Sequence, residues 1–171
     1  MARKRYKVNI LSKSSVEKLK QDLLKYKQDL DNKVVIFCEK LAEIGVETAQ
    51  ASVVSLDAVF TGELFNSIHA EQKFKGQNRA VFTVVADSSH AIYVEVGTGF
   101  VGAESPYPGK LPATYAQGKT IRQLADGRYG WFYERDGKWY FTEGMPSRPF
   151  MYFASVEMNE KIVKVAKEVF A

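Results

Sequence analysis

Between Val16 and Ala51 the sequence repeats apolar and small residues at helical spacing. Val16, Leu19, Leu23, Tyr26, Leu30, Val34, Phe37, Leu41, Ile44, Thr48 and Ala51 follow one another in steps of three and four, with one extra step of four from Leu30 to Val34. Neither proline nor glycine interrupts the run before Gly45. Ser14 or Ser15 is placed to cap its start, with Glu17 or Lys18 in the first turn. A helix of about 35 residues is roughly 50 Å long. That exceeds the body of a small domain, so part of it packs on something beyond, such as a neighbouring subunit, or it breaks near Asp31–Asn32 into an arm and a core helix.

The remainder fits one domain. At 171 residues the chain suits a single compact unit with an arm or a long loop. A chain of this size buries roughly 70% of its unfolded surface, enough to fold without a metal or a disulfide. Cys38 is the only cysteine, so no internal disulfide forms, and a reducing cytoplasm is the expected folding compartment. The basic start, Met1 to Leu11, lacks the apolar core of a signal peptide, and no run is long enough to cross a membrane. Charge is uneven: residues 1–33 hold 10 Lys/Arg and 4 Asp/Glu, net +6, whereas residues 34–171 are net −2. We therefore expect a basic arm over residues 1–13 and one domain over residues 14–171. A basic arm suits nucleic acid or an acidic partner, or simply keeps the protein soluble.

Period-two patterning then predicts three short strands, Ser67–Phe74, Ala80–Ala86 and Ala91–Val96. Turn-like Gly76-Gln77-Asn78 and Asp87-Ser88-Ser89-His90 join them into a meander. Residues 99–117, with Pro106, Pro108 and Pro112, read as loop. Asp136-Gly137 between two aromatic runs predicts a two-residue type I′ hairpin that pairs Arg135 with Lys138, Tyr133 with Tyr140 and Phe132 with Phe141. Two cations facing each other at its tip favour an acidic partner there. Met151, Ala154, Met158, Ile162, Val165 and Val169 form the apolar stripe of a last helix, with Ser147 as its cap. The expected fold is α+β: a long N-terminal helix, an antiparallel β-meander with an aromatic hairpin inserted over residues 100–144, and a C-terminal helix packed on the sheet.

No catalytic, cofactor or metal site is expected. Gly97-Thr98-Gly99-Phe100-Val101-Gly102 matches the dinucleotide fingerprint, but Pro106 and Pro108 prevent the following segment from opening a helix to hold a pyrophosphate. His90 is too close in sequence to Asp87 and Ser88 to form a triad, and His69 reads as a surface or rim residue of a strand. One cysteine, two histidines and no spaced carboxylates argue against a metal. Cys38, beside Phe37, reads as a small buried hydrophobe. Glu95 lies within an apolar stretch, where a structural pair with Arg148 is favoured over a catalytic acid. Trp131, Tyr133, Trp139 and Tyr140 suit stacking on sugars or bases, or contact with a protein partner together with Arg135 and Lys138; the latter is favoured.

Three segments in order carry a resemblance. Thr61-Gly62-Glu63-Leu64-Phe65-Asn66-Ser67-Ile68, Tyr93-Val94-Glu95-Val96-Gly97-Thr98-Gly99 and Met145-Pro146-Ser147-Arg148-Pro149-Phe150-Met151, behind an amphipathic helix, are similar to motifs of the phage tail-component family typified by gene product ten of a lambda-like siphophage. The match covers about residues 30–171. It departs from the family pattern at Val96, where an aromatic is usual, at Ser147, and in the longer stretch from Gly99 to Met145. The resemblance implies a virion structural protein at the head–tail junction, a neck or tail-completion component assembling as a ring. Its partners would be copies of itself, a head-completion protein, and a tail terminator or tail-tube protein. DNA would be only passing cargo, and no membrane is involved. Ring order stays open, six-fold being one option, as does whether the free subunit is monomeric. The motif residues Thr61, Gly62, Leu64, Ser67, Tyr93, Glu95, Gly97, Thr98, Gly99, Pro146, Arg148, Pro149 and Phe150 would then be structural, with Arg148 gripping Glu95. The alternative is a nucleic-acid-binding module that sets Arg3, Lys4, Arg5 and Lys7 on phosphates and the hairpin aromatics on bases. The net −2 of the body argues against a large basic groove.

Overall fold

The computed structural model describes residues 6–59, 61–76, 79–111 and 123–171. Helix α1 (Lys13–Ser55) runs without a break through Asp31 and Asn32, so the expected alternative of two pieces does not arise. Its cap is Ser12 rather than Ser14 or Ser15: the Ser12 hydroxyl accepts the Ser15 amide at 3.4 Å. At 1.5 Å per residue, α1 is about 65 Å long.

A short helix α2 (Glu63–Ser67) leads into strands β1 (Ile68–Gly76) and β2 (Arg79–Ala86). These pair antiparallel from Ile68↔Ala86 to Gly76↔Arg79, with a register shift between Gln72 and Phe74. Of the expected turn, Gln77 and Asn78 lie outside the described residues.

The expected third strand is not one. Residues Ala91–Val96 form helix α3, so the meander is a two-stranded hairpin. The burial pattern gives the reason. Ala91, Val94, Glu95 and Val96 are buried while Ile92 and Tyr93 are exposed. Spacing i, i+3, i+4 puts Ala91, Val94 and Glu95 on one helical face, whereas a strand would separate Val94 from Ala91 and Glu95. Tertiary packing here overrides the β-branched composition. Part of the expected loop is also ordered, as helix α4 (Gly99–Glu104).

Strands β3 (Trp131–Arg135) and β4 (Lys138–Thr142) form the aromatic hairpin in the expected register, Arg135↔Lys138, Tyr133↔Tyr140 and Phe132↔Phe141. Asp136 and Gly137 have φ of 53° and 72°, the left-handed pair that a type I′ turn requires. The two-residue strand β5 (Gly144–Met145) bridges Gly99 and Thr98 antiparallel.

Helix α5 (Phe150–Phe170) packs chiefly against α1, and not on the sheet as expected. It runs back along α1, with Phe170 beside Phe37 (ring centroids 5.8 Å apart) and Glu168 3.8 Å from Lys40. Gly45 lets α1, α5 and β2 meet, since a β-carbon there would lie 2.6 Å from the Met158 sulfur and 2.8 Å from a Val84 methyl. The buried line of α1 is accordingly Ala42, Gly45, Ala49 and Val53, one or two residues beyond the expected Leu41, Ile44, Thr48 and Ala51. Small residues are what a helix flanked on two sides needs. The core gathers Ala49, Val53, Leu64, Ile68, Ala91, Val94, Phe150 and Ala154.

Candidate functional site

The second and third motif segments converge on Glu95. Its side chain is 6% exposed at the end of α3. Both carboxylate oxygens accept backbone amides of the first turn of α5, from Met151 and Tyr152, each at 2.9 Å. These are donors that a helix start leaves without intrahelical partners. Pro149, at the cap position, makes no side-chain hydrogen bond, so a residue more than fifty positions earlier performs the capping. The Tyr107 hydroxyl also hydrogen-bonds the Glu95 carboxylate, and its ring lies edge-on to Tyr152 at 6.0 Å. Burial pushes the Glu95 carboxyl above the usual range, against the opposing pull of those amide and hydroxyl donors. Tyr107 is pushed up to about 12, by burial first and then by the Glu95 charge.

Arg148 does not grip Glu95 as expected. Its Nε donates to the Leu56 carbonyl at 2.9 Å, at the C-terminal cap of α1, and its backbone amide donates to the Val94 carbonyl at 2.9 Å. The guanidinium thus closes the end of α1, where a cation also suits the helix dipole. Ser147, expected as the cap of α5, donates its hydroxyl to the Glu95 carbonyl at 2.7 Å instead.

Backbone approach explains the glycine after Val96. Gly97 has φ of 80°, and a β-carbon there would lie 2.6 Å from the Ser147 amide nitrogen and 2.9 Å from the Pro146 carbonyl carbon. Thr98 accepts the Met145 amide on its hydroxyl at 3.2 Å, and Gly99 pairs with Gly144. Phe150 is 1% exposed in the core, while Tyr93 stands 49% exposed.

The first motif segment lies on the same core. The Thr61 hydroxyl accepts the Glu63 amide at 3.3 Å, Gly62 caps α2 in the left-handed region, and Leu64 is buried. Ser67 closes α2 by donating to the Leu64 carbonyl at 2.8 Å. Of the fingerprint-like glycines, Gly97 caps the end of α3 and Gly99 and Gly102 lie within α4, and the segment before them is a helix, not the strand that dinucleotide binding requires.

The hairpin presents its aromatics outward. Trp139, Tyr133 and Tyr140 are 68%, 44% and 43% exposed, and the two tyrosines stack on each other at 5.7 Å. Trp131 differs: it is half-buried and packs on Gly99, so it ties the hairpin to the motif junction. Arg135 and Lys138 face each other at the tip, and Asp136 Oδ2 lies 3.7 Å from Arg135 Nε.

Two polar groupings escaped the sequence reading. His69, Glu71 and Asp87 bring ligand-type atoms within 4.8 Å of one another. His69 Nε2 lies 3.5 Å from Glu71 and 3.7 Å from Asp87, its Nδ1 contacts the Ser67 carbonyl, and Lys73 pairs with the second oxygen of Glu71. With an ammonium already on Glu71, the arrangement suits an exposed ion-pair network more than a metal. The i, i+2 spacing of His69 and Glu71 was the available signal; Asp87 joins them only through the β1–β2 register. The second grouping is buried Ser88, whose hydroxyl lies 2.7 Å from His90 Nδ1 and 3.3 Å from Glu63. The Ser88 hydroxyl also lies 3.2 Å from His90 Nε2, and Glu63, which accepts from that same hydroxyl, is 3.9 Å from Nδ1, so serine and carboxylate contact each other directly instead of lying on either side of the ring. A triad needs them on opposite nitrogens. Cys38 is half-buried with its Sγ 3.8 Å from the Ala80 carbonyl, and burial pushes its thiol up.

Arg3, Lys4 and Arg5 of the basic arm lie outside the described residues, as does Pro112; Lys7 is exposed. Among the described residues no helix is long and apolar enough to cross a membrane. The chain matches no protein-family model, no curated protein and no solved structure.

Proposed function

We propose that this chain is a bacteriophage structural protein of the head–tail junction, a neck or tail-completion component that assembles as a ring of its own copies. What supports the reading is the meeting of the motif segments in one structural junction. Glu95 caps α5, Gly97 backs onto Pro146 and Ser147, and Thr98–Gly99 bridges Gly144–Met145. A junction of this kind holds two elements with exposed apolar residues, the aromatic hairpin and the N-terminal half of α1, on one body. Such elements suit a protein whose work is contact with neighbours. Its partners on the two sides are a head-completion protein and a tail terminator or tail-tube end, with DNA passing through as cargo. The free protein occupies the host cytoplasm before assembly.

Quantitative mass spectrometry of purified virions tests the assignment. The chain is expected in every particle at a fixed, small copy number consistent with one ring. Its absence from purified virions would overturn the proposal, and salt-dependent binding of single-stranded nucleic acid would then favour the hairpin and basic arm as a nucleic-acid module.

A further inference from the structure

Helices α1 and α5 and strand β2 do not close completely over one another. They leave a groove of about 270 Å³ whose lining includes Cys38, Leu41 and Ala42 of α1, Ala80 and Phe82 of β2, and Met158 of α5. Every side chain of the lining is apolar or bears sulfur. The volume falls below the roughly 300–1,000 Å³ of sites that enclose a small organic ligand, and it suits one large aromatic side chain. Met158 is the adaptable member, able to shift around a ring and to set its sulfur against the ring edge.

Trp139, at 68%, is the most exposed aromatic side chain of the described residues. It stands near the turn of a hairpin that Trp131, packed on Gly99, anchors to its own body. The charges around knob and groove match in both signs. Trp139 follows Lys138 and faces Glu134 across the hairpin, and all three are exposed. On α1, Glu39 and Glu43 directly follow the groove residues Cys38 and Ala42, and both are exposed. One turn apart on a helix, the two carboxylates repel each other, so a cation between them is favoured. On β2, exposed Arg79 directly precedes Ala80, with its guanidinium over the Phe74 ring at 5.4 Å.

We infer that Trp139 of one copy fills the groove between α1, β2 and α5 of a second copy, with Lys138 set on Glu39 and Glu43 and Glu134 towards Arg79. Hairpin and groove are different surfaces of one chain, so the contact is head-to-tail. Each copy offers its hairpin to one neighbour and its groove to the other, the arrangement from which closed rings are built. The inference deepens the ring reading and rests on it for the presence of several copies. One buried tryptophan with a charged rim is a small contact, weak between two free chains and reinforced when each copy in a closed ring is held on both sides.

The test places the photo-cross-linker p-benzoylphenylalanine at position 139 of the full chain, in an equal mixture of isotopically light and heavy chains so that links between copies are told by mass. Links between copies are expected at Leu41, Phe82 or Met158, and they run on to trimers and higher species because each linked pair keeps a free hairpin and a free groove. Lys138→Glu is expected to lower the yield several-fold, and Glu39→Lys with Glu43→Lys in the same chain to restore it; all three side chains are exposed, so the fold is not at stake. Hairpin-to-hairpin links, links within one chain only, or a yield indifferent to the charge reversals would overturn the inference. A ring from virions that links position 139 elsewhere would leave the ring reading intact and remove this contact. Groove links in a chain absent from virions would keep the contact and remove the neck reading.

Discussion

At the scale of single residues, Glu95 shows how a buried charge is accommodated without a cation. It receives two helix-start amides and the Tyr107 hydroxyl, yet burial still raises its pKa. A carboxyl whose folded pKa is raised binds its proton more tightly in the folded state. Its contribution therefore favours folding at low pH and is lost as pH rises from the ordinary carboxylate value through the raised one. We expect the stability difference between wild type and Glu95→Gln to follow this sign in urea titrations across that window; a difference independent of pH would contradict the burial argument. At neutral pH the glutamine, with one acceptor oxygen for two amides, should cost about 1–2 kcal/mol. His69 offers a second check of the local electrostatics. The Ser67 carbonyl raises its pKa first, with Glu71 and Asp87 adding to the shift. Its pairs stabilise the charged form, so that contribution is present at low pH and disappears as pH rises through the raised pKa. NMR titration of the ring should give a midpoint above the usual histidine value, moving down in Asp87→Asn. An unmoved midpoint would remove Asp87 from the network.

Among the elements, legibility in the sequence followed the locality of the cause. The β3–β4 hairpin was readable to its register because Asp136-Gly137 fixes the turn by its own backbone preferences. Helix α1 was readable because its periodicity extends over dozens of residues. Residues Ala91–Val96 were not, since Ile92, Val94 and Val96 alternate like a strand and only the partners of Ala91, Val94 and Glu95 reveal a helix. Arg148 was misassigned for a similar reason: its acceptor, the Leu56 carbonyl, is a backbone group that composition does not advertise. Glu95 was singled out correctly as buried, but its partners are amides, invisible to any search for opposite charges. The buried line of α1 was displaced because a helix packed on two sides buries small residues, Ala42, Gly45 and Ala49, where a search for large apolar ones looks elsewhere. The hairpin carries a prediction of its own. Trp139 is 68% exposed, so Trp139→Ala should change stability by no more than about 0.5 kcal/mol. In a complementation assay the same substitution should sharply reduce phage yield, since exposed tryptophans at contacts bear much of the binding energy. Full yield would remove the hairpin from the assembly surface.

For the molecule as a whole, the division of labour is spatial. The junction of α3, β5 and α5 is closed by backbone contacts and one buried carboxylate. The hairpin and the N-terminal half of α1 carry exposed apolar residues, among them Trp139, Tyr133, Val16 and Leu23. A chain that folds with a compact core while carrying two such elements is suited to join larger structures, and the central claim is that these structures are a phage head and its tail. The most direct test is electron microscopy of lysates from a phage bearing an early stop codon in this gene. The account predicts filled heads beside complete but unattached tails, with joining restored when the chain is supplied in trans. Intact, infectious virions from the stop-codon phage would contradict it.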